Sequence, residues 1–279
     1  MVPINFLILA CYLYVKILLF LDFKNYSKDW EEKLQKYIDK TKSKNIYVAK
    51  NKFIKFYCPN TITSFRSLTL FSKEPETINW LDRNGSKDKI LYDIGANIGI
   101  YSIYYSKKYN SKSYCFEPSF KNLVALSKNI NLNKLNKIIT IIPNAVTNND
   151  CISNFYQSNF VEGHADAIFN DKNIEKNIKK NLKKNFLPIE YNTLGLNIDS
   201  LVKNKILKLP DLIKIDVDGN ELDVLWGLSN ILKKKRKLTI LIEIDGKLKT
   251  GNIAHQLLKK FKYKIVDSKN DNFIFEKEI

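Results

Sequence analysis

"ILYDIGANIGIYS", residues 90–102, is the stretch that decides the fold. An apolar run ends at the acid Asp93, two glycines follow at Gly95 and Gly99 with Asn97 between them, and an apolar helical pattern resumes behind. The run reads as a buried strand and the glycines as a tight turn where backbone can approach a ligand. Asn97 suits that turn because it tolerates unusual dihedrals or caps the following helix. A dinucleotide site would want G-x-G-x-x-G to seat a pyrophosphate. The pattern here is D-x-G-x-N-x-G, and an acid ahead of the turn suits a ligand with a cationic amino group better than one carrying phosphates.

Outward from this turn the chain alternates strand and helix. The pattern predicts strands at 89–93, 113–117, 138–143, 151–156, 211–217 and 238–244, and helices at 98–108, 119–130, 220–233 and 253–261. "YKIVDS" and "NFIFEK" read as a C-terminal antiparallel strand pair around "KNDN". Such alternation predicts an α/β fold: a mostly parallel sheet with helices on both faces. Ligands of such sheets bind beyond the carboxyl ends of the strands. The second predicted strand ends there in Glu117, 24 positions after Asp93 (117 − 93). A carboxylate at that place takes both ribose hydroxyls. The third ends in "PNA", where Asn144 faces an adenine edge. An amino-acid head, a ribose and an adenine together describe S-adenosylmethionine. The irregular stretch 157–197 is too long for a plain connection and is expected to be a substrate loop or lid.

At this point the sequence resembles the FkbM-type methyltransferases. The matching stretches are "DIGANIGIYS", "CFEPSFKNLVALSKNINLN" (115–133), "NAV" (144–146) and "LIKIDVDGNELDVLWGL" (212–228), with "PNTITSFRSLTLFSKEPETINWLD" (59–82) as the lead-in. They cover roughly residues 56–245 by motif order. The resemblance implies a class I, Rossmann-like, S-adenosylmethionine-dependent fold that usually methylates oxygen. Family substrates range over sugars, natural products and carboxylic acids, so the acceptor does not carry over.

The catalytic candidates follow from position. In "LIKIDVDGNE" the alternation predicts Lys214, Asp216 and Asp218 on one strand face. Asp218 and Glu221 have a ready structural role, since D-x-x-E is a capping-box pattern for the next helix. Asp216 has no such role and is the leading catalytic candidate. Lys214 either neutralises it or orients a carboxylate acceptor. Glu243, closing "TILIEI", points to the same ligand edge, and His164 sits on the long loop as a candidate base. No metal-ligand spacing is visible. Two rivals stand beside the methyltransferase reading: a nucleotide-dependent oxidoreductase, and a non-catalytic, membrane-tethered module that keeps the cofactor pocket.

The remainder bounds the setting. Residues 3–21, "PINFLILACYLYVKILLFL", are apolar around a helix apart from Asn5 and Lys16. They read either as a membrane anchor within residues 1–25 or as a helix packed on protein. A lead-in segment (26–88), whose "DWEEKLQKYIDKT" reads as an amphipathic helix, precedes the cofactor-binding domain (89–279). The formal net charge of +17 comes from Lys spread along the whole chain. The basic runs lack interleaved aromatics, which argues against nucleic acid as a partner. Four scattered cysteines suit a reducing compartment, hence a cytoplasmic catalytic domain.

Overall fold

The computed structural model describes residues 48–165, 167–169, 189–244 and 249–278, all within one compact unit spanning 46–279. A hairpin of Val48–Asn51 (β1) and Ile54–Tyr57 (β2) leads into helices Thr61–Leu68 (α1) and Pro75–Asn84 (α2). Then come Leu91–Ile94 (β3), Ile100–Tyr109 (α3), Ser113–Phe116 (β4), Phe120–Leu132 (α4) and Ile139–Ile142 (β5). Next are Ala145–Val146 (β6), Cys151–Gln157 (β7), Ala167–Phe169 (β8), Ile189–Leu196 (β9) and Ile198–Lys203 (α5). The chain continues through Leu212–Ile215 (β10), Glu221–Gly227 (α6), Ser229–Lys233 (α7), Thr239–Glu243 (β11) and Lys249–Lys260 (α8). Tyr263–Lys269 (β12) and Asn272–Lys277 (β13) close it.

Seven strands form the main sheet in the order β12-β13-β11-β10-β3-β4-β5. From β11 to β5 neighbouring strands run parallel, and β13 joins β11 and β12 antiparallel. Every residue of β3 and β10 is buried, because both faces are covered. Leu91, Leu212, Leu241 and Ile274 pack with Trp80, Ile103 and Leu126 on the face carrying α2, α3 and α4. Tyr92, Ile94, Ile213, Ile215 and Ile240 pack with residues of α5 to α8 on the other. The predicted fold, C-terminal pair included, is therefore present. The chain reverses direction after β3, running to β4 and β5 on one side and later to β10 and β11 on the other, so the ends of β3, β4 and β10 border a switch-point crevice.

Three expectations change. Residues 151–156 are a strand, but β7 belongs to a second, four-stranded sheet of order β6-β9-β7-β8. The stretch 157–197 is not irregular throughout, since β8 and the eight-residue β9 both pair with β7 inside it. The alternation in "IEYNTLGL" is polar enough to read as loop, and only its pairing with β7 makes it a strand. The helix expected over 220–233 is two short ones. Gly227 ends the first where a Cβ would lie 2.3 Å from the Thr147 carbonyl oxygen. The apolar stretch 3–21 and "DWEEKLQKYIDKT" lie outside the described residues, and among the described residues no helix is long and apolar enough to cross a membrane.

Asn129 of α4 and its C-cap Asn133 hold the hairpin on the domain. Asn129 accepts from Tyr57 N at 2.7 Å and donates to Ile98 O at 2.9 Å. Asn133 accepts from Lys55 N at 3.1 Å and donates to Lys55 O at 2.7 Å. Asn129 is fully buried, so its loss orphans two backbone groups away from water. Asn129→Ala is expected to destabilise the protein by about 2–4 kcal/mol, at 1–2 per orphaned group. Urea unfolding checks this, and an unchanged midpoint would refute the tie.

Candidate functional site

The turn after β3 is shaped by how closely β10 approaches it. Gly95 has φ +81°, and a Cβ there would sit 1.9 Å from the Asp216 carbonyl oxygen. No side chain fits at that place, so glycine is required twice over, by dihedral and by contact. Asn97 adopts φ 51°, as the sequence allows. Its backbone N–H donates to Glu117 Oε2 at 2.7 Å, and its side-chain amide donates to His164 O at 3.0 Å. Gly99 is the N-cap of α3, and a Cβ on it would meet Leu126 Cδ1 at 2.3 Å. Its duty is close packing of α3 on α4 rather than lining the crevice.

An open cleft of about 720 Å³, mouth included, lies between the carboxyl ends of the main sheet and the second sheet. Gly95, Asn97, Glu117, Asn144, His164 and Asp216 all line it, so six expected positions separated in sequence meet in one place. Phe116, Val146 and Phe155 give it apolar wall. Glu117 is 5% exposed. Its Oε1 accepts from Ser119 N at 2.8 Å. Burial pushes this carboxyl up to about 7, against the pull of its backbone donors Ser119 and Asn97. Asn144 donates its amide to Leu194 O at 3.3 Å. The His164 ring nitrogen Nδ1 meets the Ala165 carbonyl.

Asp93, Lys214 and Glu243 do not line the cleft; Asp93 and Lys214 form an ionic layer behind it, and Glu243 stands exposed at the end of β11. Asp93 is 1% exposed, pairs in register with Lys214, and accepts from Ser102 Oγ at 2.6 Å. Asp93 thus gives Oδ2 to α3, while its buried Oδ1 has no hydrogen-bond partner among the described residues. Burial pushes its carboxyl up, and Lys214 and Ser102 counter only part of that. Lys214, 2% exposed, places its ammonium 2.5 Å from Asp216 Oδ2 and 5.0 Å from the centre of the Tyr101 ring. Tyr101 donates to Glu74 Oε2 at 2.6 Å. Burial would lower the Lys214 ammonium, but Asp216, Asp93 and Glu74 together raise it, so it stays charged. Burial likewise opposes ionisation of Asp216, and Lys214 outweighs it, holding that carboxyl below its ordinary value. Glu243 hydrogen-bonds Asp216 from the end of β11 and moves the other way, raised by burial and by the Asp216 charge.

The capping-box expectation for Asp218 and Glu221 is not met. β10 ends at Ile215, so Asp218 is not on its face. The cap position of α6 is Asn220, without a side-chain cap bond. Asp218 instead accepts from Ala167 N at 2.9 Å. Asn220 accepts from Phe169 N and donates to Phe169 O at 3.1 and 2.9 Å. These two side chains pair with β8 on the side where the described residues supply no neighbour strand. Glu221 turns back to Gly219 N at 2.9 Å.

Sequence reasoning passed over several residues of the site. Arg66, Asn122 and Asn220 line the cleft, while Glu74 and Tyr101 back it. Arg66 and Glu74 lie in the lead-in, with no chemistry-bearing motif around them. Arg66 Nε donates to Gly163 O at 2.6 Å, and Asn122 accepts from Gly163 N at 2.8 Å, so the segment before His164 is held from two helices. Among the described residues no group of His, Cys, Asp and Glu has the arrangement to hold a metal ion.

The sequence matches the methyltransferase FkbM domain over residues 93–265. No curated protein matches it. Solved structures with a similar fold include a methyltransferase FkbM from Methylobacillus flagellatus KT, at 14% identity and TM-score 0.45, covering 69% of this chain and 44% of that one. Another is a precorrin-6y C5,15-methyltransferase from Geobacter metallireducens GS-15, at 14% identity and TM-score 0.42, covering 74% and 89%. A third is M. jannaschii TYW2 in complex with AdoMet, at 12% identity and TM-score 0.41, covering 84% and 85%. This chain thus spans less than half the length of the first.

Glu117 makes the site sensitive to pH. Its folded value of about 7 lies above its ordinary 4.5, so the folded state keeps a proton that the unfolded chain releases. The associated stability is full below pH 4.5 and is lost as pH rises to about 7, worth at most about 3 kcal/mol. In ligand-free protein, Glu117→Gln is expected to flatten the fall in unfolding free energy across that window. Glu221, raised over a similar range, keeps part of the slope. An unchanged slope would contradict the assignment.

Proposed function

The chain belongs to the methyltransferase FkbM domain family, and from that premise we propose that it transfers the methyl group of S-adenosylmethionine to an oxygen. The acceptor on this reading is a hydroxyl of a glycan or small metabolite, or a carboxylate. The site suits the donor on its own chemistry. A buried acid, Glu117, stands at the end of β4 where a ribose diol is bound, behind a turn whose Gly95 admits no side chain. Asn144 and the apolar wall of Phe116 and Val146 suit an adenine. The sulfonium supplies an electrophilic methyl, and what remains for the protein is to hold donor and acceptor in line.

The observation that carries the oxygen reading is Asp216, which reaches the cleft with its carboxyl fixed from behind by Lys214. A hydroxyl acceptor must be aimed and must lose its proton. Asp216, held ionised, accepts the hydrogen bond that aims it. Such a carboxylate is a weak base, and its partner Glu243, raised by burial and by the Asp216 charge, is the better proton holder. Two interacting carboxyls whose environments push them apart divide the roles: Glu243 keeps its proton and steadies the Asp216 charge through their hydrogen bond, and Asp216 takes the hydroxyl proton as the methyl leaves sulfur and releases it to water at its exposed edge. His164 also lines the cleft and is within reach of a bound acceptor as a further polar group. We also propose that nucleic acid is not the acceptor, because the basic runs of the sequence lack interleaved aromatics for base stacking.

Titration calorimetry with S-adenosylhomocysteine and with nicotinamide dinucleotides tests the donor. Binding of the first alone is expected, and Glu117→Ala should weaken it by about 1.5–3 kcal/mol. Dinucleotide binding without response to S-adenosylhomocysteine would overturn the reading. For the acceptor, labelled methyl transfer to fractionated glycans, lipids and small acids identifies the product. On that acceptor Asp216→Asn is expected to lose roughly 10²–10⁴-fold in turnover with donor affinity little changed. Asp218→Asn keeps the chemistry and loosens β8, so it should act on stability by about 1 kcal/mol. Equal turnover of Asp216→Asn and parent would remove Asp216 from the mechanism.

A further inference from the structure

Arg66 is the sole Lys or Arg among the described residues that line the cleft. It projects from α1, and its Nε donation to Gly163 O fixes the plane of the guanidinium. A guanidinium carries five N–H donors, and this bond uses one. No described carboxylate lies within ion-pair distance of the other four. The acids sharing the cleft have donors of their own. Glu117 is taken by Asn97 and Ser119, Asp216 by Lys214, and Asp218 by Ala167. Among the described residues this cation is bonded at one nitrogen only, its charge is felt by Asp216 across the cleft, and it faces a space where a planar anion can be held.

We propose that Arg66 is a carboxylate-binding subsite of the cleft, taking a ligand carboxylate on its two Nη groups. The inference rests on the reading that the cleft holds a methyl donor. Two ligands would bring a carboxylate there: the amino-acid end of the donor, or an acidic acceptor such as a uronic acid. Lys is a poor substitute, because the fork that keeps Nε on Gly163 while both Nη groups face the ligand exists only in Arg.

Calorimetry on the full chain decides, with three probes: S-adenosylhomocysteine, 5′-methylthioadenosine, which lacks the amino-acid end, and glucuronate added to the S-adenosylhomocysteine complex. If the donor supplies the carboxylate, Arg66→Gln weakens S-adenosylhomocysteine roughly 10–100-fold and leaves 5′-methylthioadenosine unchanged, with Arg66→Lys in between. Unchanged 5′-methylthioadenosine binding also shows that the variant is folded. If the acceptor supplies it, Arg66→Gln leaves S-adenosylhomocysteine alone and abolishes glucuronate binding. The proposal is overturned if Arg66→Gln binds all three as the parent does, or weakens 5′-methylthioadenosine equally. Should the parent bind no adenosyl ligand, the donor reading fails, and the subsite then stands or falls on glucuronate alone.

Discussion

A buried ammonium is the constraint around which the site is organised. Lys214 lies in the middle of β10, 2% exposed, where an uncompensated charge would be costly. Its compensation comes from separate parts of the chain: Asp216 just past its own strand, Asp93 on β3, and Glu74 from the start of α2. Glu74 is in turn held by Tyr101 of α3. Meeting the need of one cation therefore fixes where α2 and α3 begin over the sheet. It also fixes the carboxyl of Asp216 at the cleft wall. A buried ion pair is weak evidence for stability, since an apolar replacement is often as stable. It is better evidence that a charge is wanted where Asp216 stands.

The second sheet answers a different problem. Its strand β8 is an edge, and an edge offers unpaired N–H and C=O groups. Asp218 and Asn220, two residues apart, supply side chains at the spacing of a strand and satisfy Ala167 and Phe169. The loop that carries Asp216 is thereby tied to the sheet that forms the far wall of the cleft. The segment 161–164 is tied in the same manner from the lead-in, from the glycine turn and from α4. Asn60 bonds Glu162 O, Arg66 bonds Gly163 O, and Asn97 and Asn122 bond His164 O. The cleft is thus closed around its rim by side-chain to backbone bonds, with little regular strand pairing.

These ties also separate the carboxyls chemically. Asp216 and Glu243 are neighbours, yet one is lowered and the other raised. The difference is position relative to Lys214: Asp216 makes direct contact, and Glu243 sees the ammonium only beyond Asp216. Glu117 is raised although two backbone N–H groups donate to it, because its burial is deep and the Asp218 charge adds to the effect.

The sequence by itself determined the strand-turn-helix of residues 90–102, the parallel sheet and the C-terminal strand pair, because buried strands and amphipathic helices leave a local period in the chain. It also located Glu117, Asn97 and Asp216 at strand ends, since their order along the alternation places them there. Tertiary structure alone decided the rest. Asp93 and Lys214 sit one residue or more inside the ends of their strands, and only the covering helices put them behind the cleft rather than in it. Asp218 matches a helix-cap spacing, yet the edge of β8 claims its carboxyl, a competition between partners that lie 51 residues apart. β9 reads as loop because its alternation is polar and its partner β7 is non-local. Arg66 and Glu74 carry no motif, and their charges gain meaning only from the carboxylates and the ammonium that folding brings beside them.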